Sequence, residues 1–222
     1  MWKKIKNNIL DLFFPQFCLK CQKEGFLICP DCLSLIDINQ KSCKEPFLDI
    51  LFFATSYQEP LVKKMIFLFK YEPYIKNFAL PLATLIIYHF SLIEKRPSAG
   101  SEQTLFISVP IANKKLRTRG YNQSAVLAKM LSMYYQLPFS GNNLVKIKNT
   151  RSQADLGKIE RQENLKNAFA IKNPELIARK IIYLVDDVFT TGSTMQECAR
   201  VLKTAGASKI YGIVVAREES KQ

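Results

Sequence analysis

Short apolar runs alternate along this chain with stretches of helical period. Residues 105–109, 181–185 and 209–216 are almost wholly apolar, and residues 48–56 are rich in apolar and aromatic side chains, as strands packed on both faces should be. Helical patterns lie between them. Pro60 opens one with apolar positions at Leu61, Met65, Leu68 and Phe69, and with Lys63, Lys64 and Lys70 mostly on its exposed side. After a connector at residues 73–81, a strongly apolar helix is predicted over 82–95. It carries His89 between Tyr88 and Phe90, which reads as packed or partly exposed rather than catalytic. Asn122 is suited to cap a third helix running to about Tyr135. A fourth continues through residues 197–205, with Gly206 as its C′ residue. Strand, helix and strand over 181–216 make a βαβ unit, so the pattern predicts an α/β fold with a parallel sheet. Residues 96–103, polar with Pro97 and Gly100, form a surface loop between elements, and residues 217–222 a frayed polar tail.

Two of these strands open into polar segments. Residues 181–185 lead into Asp186, Asp187 and Val188, then Thr190, Thr191, Gly192, Ser193 and Thr194, and then a helix. The end of a parallel strand is the ligand-binding edge of an open α/β sheet. Two adjacent carboxylates can accept hydrogen bonds from a vicinal diol. Hydroxyls and unpaired amides at a helix start suit an anion, and Gly192 allows the backbone a sharp turn. A plain capped helix is the ligand-free alternative, but it needs neither the acid pair nor the hydroxyl run. Residues 105–109 lead into a basic loop with Lys114, Lys115, Arg117 and Arg119, whose donors suit phosphate oxygens. Neither Gly-x-Gly-x-x-Gly nor Gly-Lys-Ser/Thr occurs, so a dinucleotide fingerprint and a P-loop are unsupported.

Charge adds a second layer. The net charge is +13, and between residues 101 and 150 the only acid is Glu102, against Lys114, Lys115, Arg117, Arg119, Lys129, Lys146 and Lys148. Such an excess favours a polyanion: pyrophosphate nearby, nucleic acid or an anionic membrane surface at longer range, or else it forms a hydrated basic face. At the N-terminus Trp2, Ile5, Ile9, Leu12 and Phe13 lie near one helical face beside Lys3, Lys4 and Lys6. That helix packs on its own protein or lies at a membrane surface. Asp11 and the lack of a small-residue cleavage site argue against a signal peptide. The apolar stretch 79–93 is too short to span a bilayer, so a cytoplasmic protein is expected, not an integral membrane one.

The cysteines form a compact motif. Cys18-x-x-Cys21 and Cys29-x-x-Cys32 can each chelate from a tight turn, and four thiolates complete a tetrahedral structural zinc site. Disulfides would need an oxidising compartment, and a redox Cys-x-x-Cys more often stands alone. Cys43 could begin a second, incomplete knuckle, and Cys198 reads as a small core residue. Residues 1–47 are accordingly expected to form an N-terminal helix and four-cysteine, zinc-ribbon-like module, and residues 48–222 the α/β domain.

The acid pair with Thr190-Thr-Gly-Ser-Thr194 resembles the phosphoribosyl pyrophosphate (PRPP) signature of type I phosphoribosyltransferases. The segment Leu116-Arg117-x-Arg119-Gly120-Tyr121-Asn122-Gln123 is similar to the Leu-Arg-x-Arg-Gly-Phe-Asn-Gln segment of ComF-type competence proteins. So are Arg151, Ser152 and Gln153, then Arg161, Asn164, Ala168 and Phe169. Lys146 and Lys148 depart from the arginines more common there. The resemblance runs from about Cys18 to Ala216. It implies a type I phosphoribosyltransferase-like sheet flanked by helices. Asp186 and Asp187 would hold the ribose hydroxyls as the catalytic pair, Thr190 to Thr194 the 5′-phosphate, with Val188 also against PRPP and Mg²⁺ bound with it, and Lys114, Lys115, Arg117 and Arg119 the pyrophosphate. It also implies a role in natural transformation, on internalised single-stranded DNA, with a DNA-uptake or helicase-like partner and a place in the cytoplasm or at the inner membrane face. Two functions are compatible with these residues: a phosphoribosyltransferase whose acceptor no recognition loop identifies, or a nucleic-acid-binding adaptor that keeps the fold without turnover.

Overall fold

The computed structural model describes residues 16–95, 97, 103–148 and 165–218. The expected amphipathic helix at 1–14, most of the loop at 96–103, Arg151, Ser152, Gln153, Arg161 and Asn164 lie outside them. In chain order, α1 is Pro30–Ser34, β1 Ser42–Glu45, β2 Leu48–Ser56, α2 Pro60–Lys70, α3 Ala79–Leu92, β3 Thr104–Ser108, α4 Asn113–Arg119, α5 Gln123–Tyr135, β4 Phe139–Ser140, β5 Leu144–Lys146, β6 Phe169–Ile171, β7 Ile181–Val185, β8 Val188–Phe189, α6 Ser193–Thr204 and β9 Lys209–Arg217.

The main sheet runs β1-β2-β9-β7-β3-β4, with β8 also on β9. Only β1 is antiparallel, through its pairing with β2; β5 and β6 form a separate antiparallel pair. Side chains alternate between faces along a strand, so continuous apolar runs feed two cores. Tyr183 and Val185 of β7, Phe106 of β3 and Ile213 and Val215 of β9 join one core with α2, α3 and α5. Ile182 and Leu184, Leu105 and Ile107, and Ile210 and Val214 join the other, with α6 and Phe169 of β6. Cys18, Cys29, Cys32 and Ile36 pack into the first core with Phe52 and Ala54.

The predicted elements are largely present, with three differences. The apolar helix starts at Ala79, not residue 82, because a 3₁₀ turn at Lys76–Phe78 leads into it and Pro81 falls in its first turn, where no amide partner is lost. The basic loop is a helix, α4, followed by Gly120 in the left-handed conformation at φ 78°, whose amide donates to the Leu116 carbonyl. The segment after the acid pair forms β8, because β9 extends beyond β7: the Val215 amide donates to the Asp187 carbonyl, and Val188 and Phe189 pair with Ala216 and Arg217. Among the described residues no helix is long and apolar enough to cross a membrane.

Candidate functional site

Register sets where the chemistry collects. Ser108 aligns with Val185, and Val185 with Ile213, so β3, β7 and β9 present their C-terminal ends along one edge. Asp186 and Asp187 follow β7 directly, while α4 and the start of α5 follow β3. The Asn122 carboxamide ties the start of α5 to the end of β3: it donates to the Val109 carbonyl and accepts from the Ser124 amide as the N-cap of α5.

The acid pair is intricately bonded but not saturated. Ser124 donates its hydroxyl to Asp186 Oδ1 at 2.7 Å, and the Asp187 amide donates to the same oxygen at 2.9 Å. Burial, and then the neighbouring Asp187 charge, push the Asp186 carboxyl up to about 7. Asp187 is almost fully buried; its Oδ1 lies 2.8 Å from Lys70 Nζ, and its buried Oδ2 has no partner among the described residues. Burial alone would lower the Lys70 ammonium, but Asp187 and Asp186 hold it above its ordinary range. The helical pattern puts Lys70 mostly on the exposed side of α2, yet its side chain is largely buried. It closes that helix instead and turns toward the acid pair, while Lys63 and Lys64 are exposed.

On α4, Lys115 and Arg119 are four residues apart and share a face; Lys114, Lys115 and Arg117 are exposed and Arg119 is half-buried. Burial and the charges of Arg119 and Lys70 lower the Lys115 ammonium, which also feels Asp187. Arg119 keeps Nε and Nη1 buried without partners among the described residues. The acid pair thus has Lys70 in contact with it and Lys115 close enough to feel Asp187, with Arg119 beside Lys115; of the first two, sequence singled out only Lys115. Lys70 and Ser124 carry no motif that would reveal them.

The hydroxyl run wraps the start of α6. Gly192 stands in the left-handed region at φ 76° as the N-cap and has no side chain to bond the first amides; the Ser193 amide donates to the Thr191 hydroxyl at 3.5 Å. A Cβ there would lie 2.3 Å from Phe189 Cζ, so glycine is required by both conformation and space. Thr191 and Ser193 hydroxyls lie 2.9 Å apart, and Thr190 is exposed. The first helical amides have no intrahelical acceptor, and the dipole makes this end of the twelve-residue helix positive. An acid pair, an anion-ready helix start and clustered cations can together hold a polyhydroxylated, phosphorylated ligand. One carboxylate oxygen without a partner among the described residues, Asp187 Oδ2, is left for such a ligand, and Mg²⁺ arriving with it would meet an Oδ1 already paired with Lys70.

The four cysteines come together elsewhere. Sγ atoms of Cys18, Cys21, Cys29 and Cys32 all lie within 4.8 Å of one another. Tetrahedral zinc with Zn–S of about 2.3 Å needs sulfurs about 3.8 Å apart, so the set fits that ion. The Cys29 amide donates to Cys18 Sγ, and the Cys32 amide to Cys29 Sγ, each at 3.4 Å. Although burial pushes it up, amide donors bring the Cys18 thiol down to about 6; burial and shared thiol hydrogen bonds raise Cys32 to about 12. Cys43 lies apart, accepting from Arg217 Nη1 at 2.8 Å, and Cys198 is buried in the second core.

The sequence compares with known proteins in the same terms. The phosphoribosyl transferase domain family matches residues 119–222. Competence protein F of Haemophilus influenzae is 31% identical over 210 residues, 90% of each chain. DNA utilization protein YhgH of Salmonella typhi is 28% identical, over 87% of this chain and 85% of its own. Competence protein ComFC of Streptococcus pneumoniae is 28% identical over about half of each chain, 50% and 47%. With a parallel α/β sheet, a phosphoribosyl transferase domain and a clustered four-cysteine set near its start, the chain belongs to the competence protein F (ComF) family.

Proposed function

We propose that this protein binds PRPP with Mg²⁺ at the C-terminal edge of its sheet and serves competence and DNA uptake, acting inside the cell on incoming single-stranded DNA. The observation that carries the pocket is the meeting of the acid pair with Lys70, Lys115 and the α6 start. Asp186 and Asp187 receive the ribose hydroxyls; Thr190 to Thr194 receive the 5′-phosphate, with Val188 beside them; Lys114, Lys115, Arg117 and Arg119 meet the pyrophosphate. When bound, Mg²⁺ supplies charge neutralisation on the pyrophosphate. Should transfer occur, Asp187 favours cationic character developing on the ribose ring, and α4 holds the departing anion.

Cys18, Cys21, Cys29 and Cys32 hold a structural zinc ion, and residues 1–47 act as a module for a DNA-uptake or helicase-like partner at the inner membrane face. The basic excess between residues 101 and 150 supports DNA binding. An adaptor role without turnover is supported by the ion pair that already engages Asp187.

Calorimetric titration with PRPP tests the pocket. Wild type should bind, and Asp186→Asn/Asp187→Asn should bind far more weakly; equal affinity removes the pocket. Pyrophosphate release, with and without single-stranded DNA, then separates transferase from adaptor.

A further inference from the structure

The residue at the acid pair that no motif marks is Lys70. Its ammonium touches Asp187 Oδ1 at 2.8 Å, and the side chains are 22% and 3% exposed, so the contact is largely withdrawn from water. Its place is held from outside α2. Tyr121, just after the cap of α4, donates its hydroxyl to the Phe69 carbonyl at 2.6 Å, and the Phe69 and Tyr121 rings pack 5.5 Å apart. The last turn of α2 is therefore tied to the end of the basic helix, and Phe69 is fully buried.

We propose that Lys70 is the resident counter-ion of the acid pair: its ammonium occupies the cation position on Asp187, excluding a divalent ion from that carboxylate and presenting a fixed protein charge to the ligand's phosphates. Three features lead there. A metal ion chelated by both oxygens of Asp187 would have to displace the ammonium bonded to Oδ1, and one held by the buried Oδ2 alone would sit against that ammonium's charge. The displaced ammonium would remain near Lys115, where like charges repel. Asp186 Oδ1 already accepts two hydrogen bonds, from Ser124 and from the Asp187 amide, so it is a poor second arm for a chelate. Any Mg²⁺ that enters with a diphosphate ligand is then held by that ligand rather than by Asp187.

This deepens the PRPP reading but can be tested apart from it. The probe is Mn²⁺, followed by electron paramagnetic resonance on the full-length, zinc-loaded protein without nucleotide or PRPP. Wild type should show no Mn²⁺ site that Asp187→Asn removes. Lys70→Gln should gain such a site, with affinity raised at least about tenfold, and Lys70→Gln/Asp187→Asn should lose it. Lys70→Arg keeps the charge and should match wild type. An Asp187-dependent Mn²⁺ site in wild type overturns the proposal, and this holds even if Lys70→Gln fails to fold. A folded Lys70→Gln that gains no Mn²⁺ site overturns it too. A merely structural lysine would create no metal site on removal. With PRPP as the ligand, the ratio of affinities with and without Mg²⁺ should rise about tenfold in Lys70→Gln. Wild type that fails to bind PRPP would sink the PRPP reading while leaving the Mn²⁺ result to decide the role of Lys70.

Discussion

Replacing Gly192 by alanine tests whether the start of α6 depends on one left-handed residue. At φ 76°, an L-residue costs about 1–2 kcal/mol relative to its relaxed conformation. The added Cβ would also meet Phe189 Cζ at 2.3 Å, Cε1 at 2.8 Å and Cε2 at 2.9 Å. That ring cannot swing away freely: Phe189 is 4% exposed in the second core, and the Arg217 guanidinium lies 5.7 Å from its centroid. Forcing such a contact costs about 1–3 kcal/mol. Together the loss is about 2–5 kcal/mol, equivalent to a fall in Tm of roughly 4–20 °C for a chain of this size. Urea unfolding with zinc present measures it, and the slope should stay constant while the midpoint falls. Phe189→Leu in the same background should return the ring contribution but not the backbone one, so the two substitutions should not add. A Gly192→Ala loss below about 0.5 kcal/mol, the range of an ordinary surface change, would refute the reasoning. Where the variant still folds, PRPP affinity should fall about tenfold or more, because displaced amides no longer meet the phosphate.

Other expectations follow from the same geometry. Asp186 keeps its proton to about pH 7 in the folded state but loses it near pH 4 when unfolded. Its contribution is therefore present at low pH and is lost as pH rises from about 4 to about 7. Asp186→Asn should flatten that slope in urea midpoints taken at pH 5 and pH 8; an unchanged slope would contradict it. His89 acts in the opposite sense. Buried, with Nδ1 2.6 Å from the Asn39 carbonyl, it is held below its ordinary range, so its contribution is present above about pH 6.5 and lost on acidification. In the Asp186→Asn background this acid-side loss should stand alone and disappear with His89→Gln. Metal analysis should find one zinc per chain, and Cys29→Ser should lose the metal and lower Tm, since Cys29 is also part of the first core. Leu184→Ala, in the middle of β7 and fully buried, should cost about 3–5 kcal/mol by urea unfolding.

Much of the fold is legible along the chain because its signals are local. β2 spans the expected residues 48–56, and β7 the expected 181–185, since short runs rich in apolar side chains have one stable use in a covered sheet. Asn122 caps α5 as its side chain predicts, and the helix ends at Tyr135. The zinc motif and the acid pair are readable for the same reason: their groups are contiguous or separated by a single turn. α4 is less readable because a run of like charges looks like a loop, and its helix is secured by the backbone freedom of Gly120 and by docking through Tyr121. Cys43, which spacing links to the cysteines, is drawn to Arg217 by the pairing of β1 with β2 and of β2 with β9.

By itself, then, the sequence determines β2, β3, β7 and β9, most helices, the four-thiol set and the strand-to-helix turn at Asp186–Thr194. Each depends on residues close enough in the chain to constrain one another. Only the tertiary structure decides which cations meet the acid pair. Lys70 and Lys63 are alike as residues on one amphipathic helix, and what separates them is the distant Asp187 carboxylate that parallel register brings to the end of α2. Ser124 joins the site on the same terms, 62 residues from the carboxylate it bonds. A buried charge selects its partner by position in space, and no local pattern records that choice.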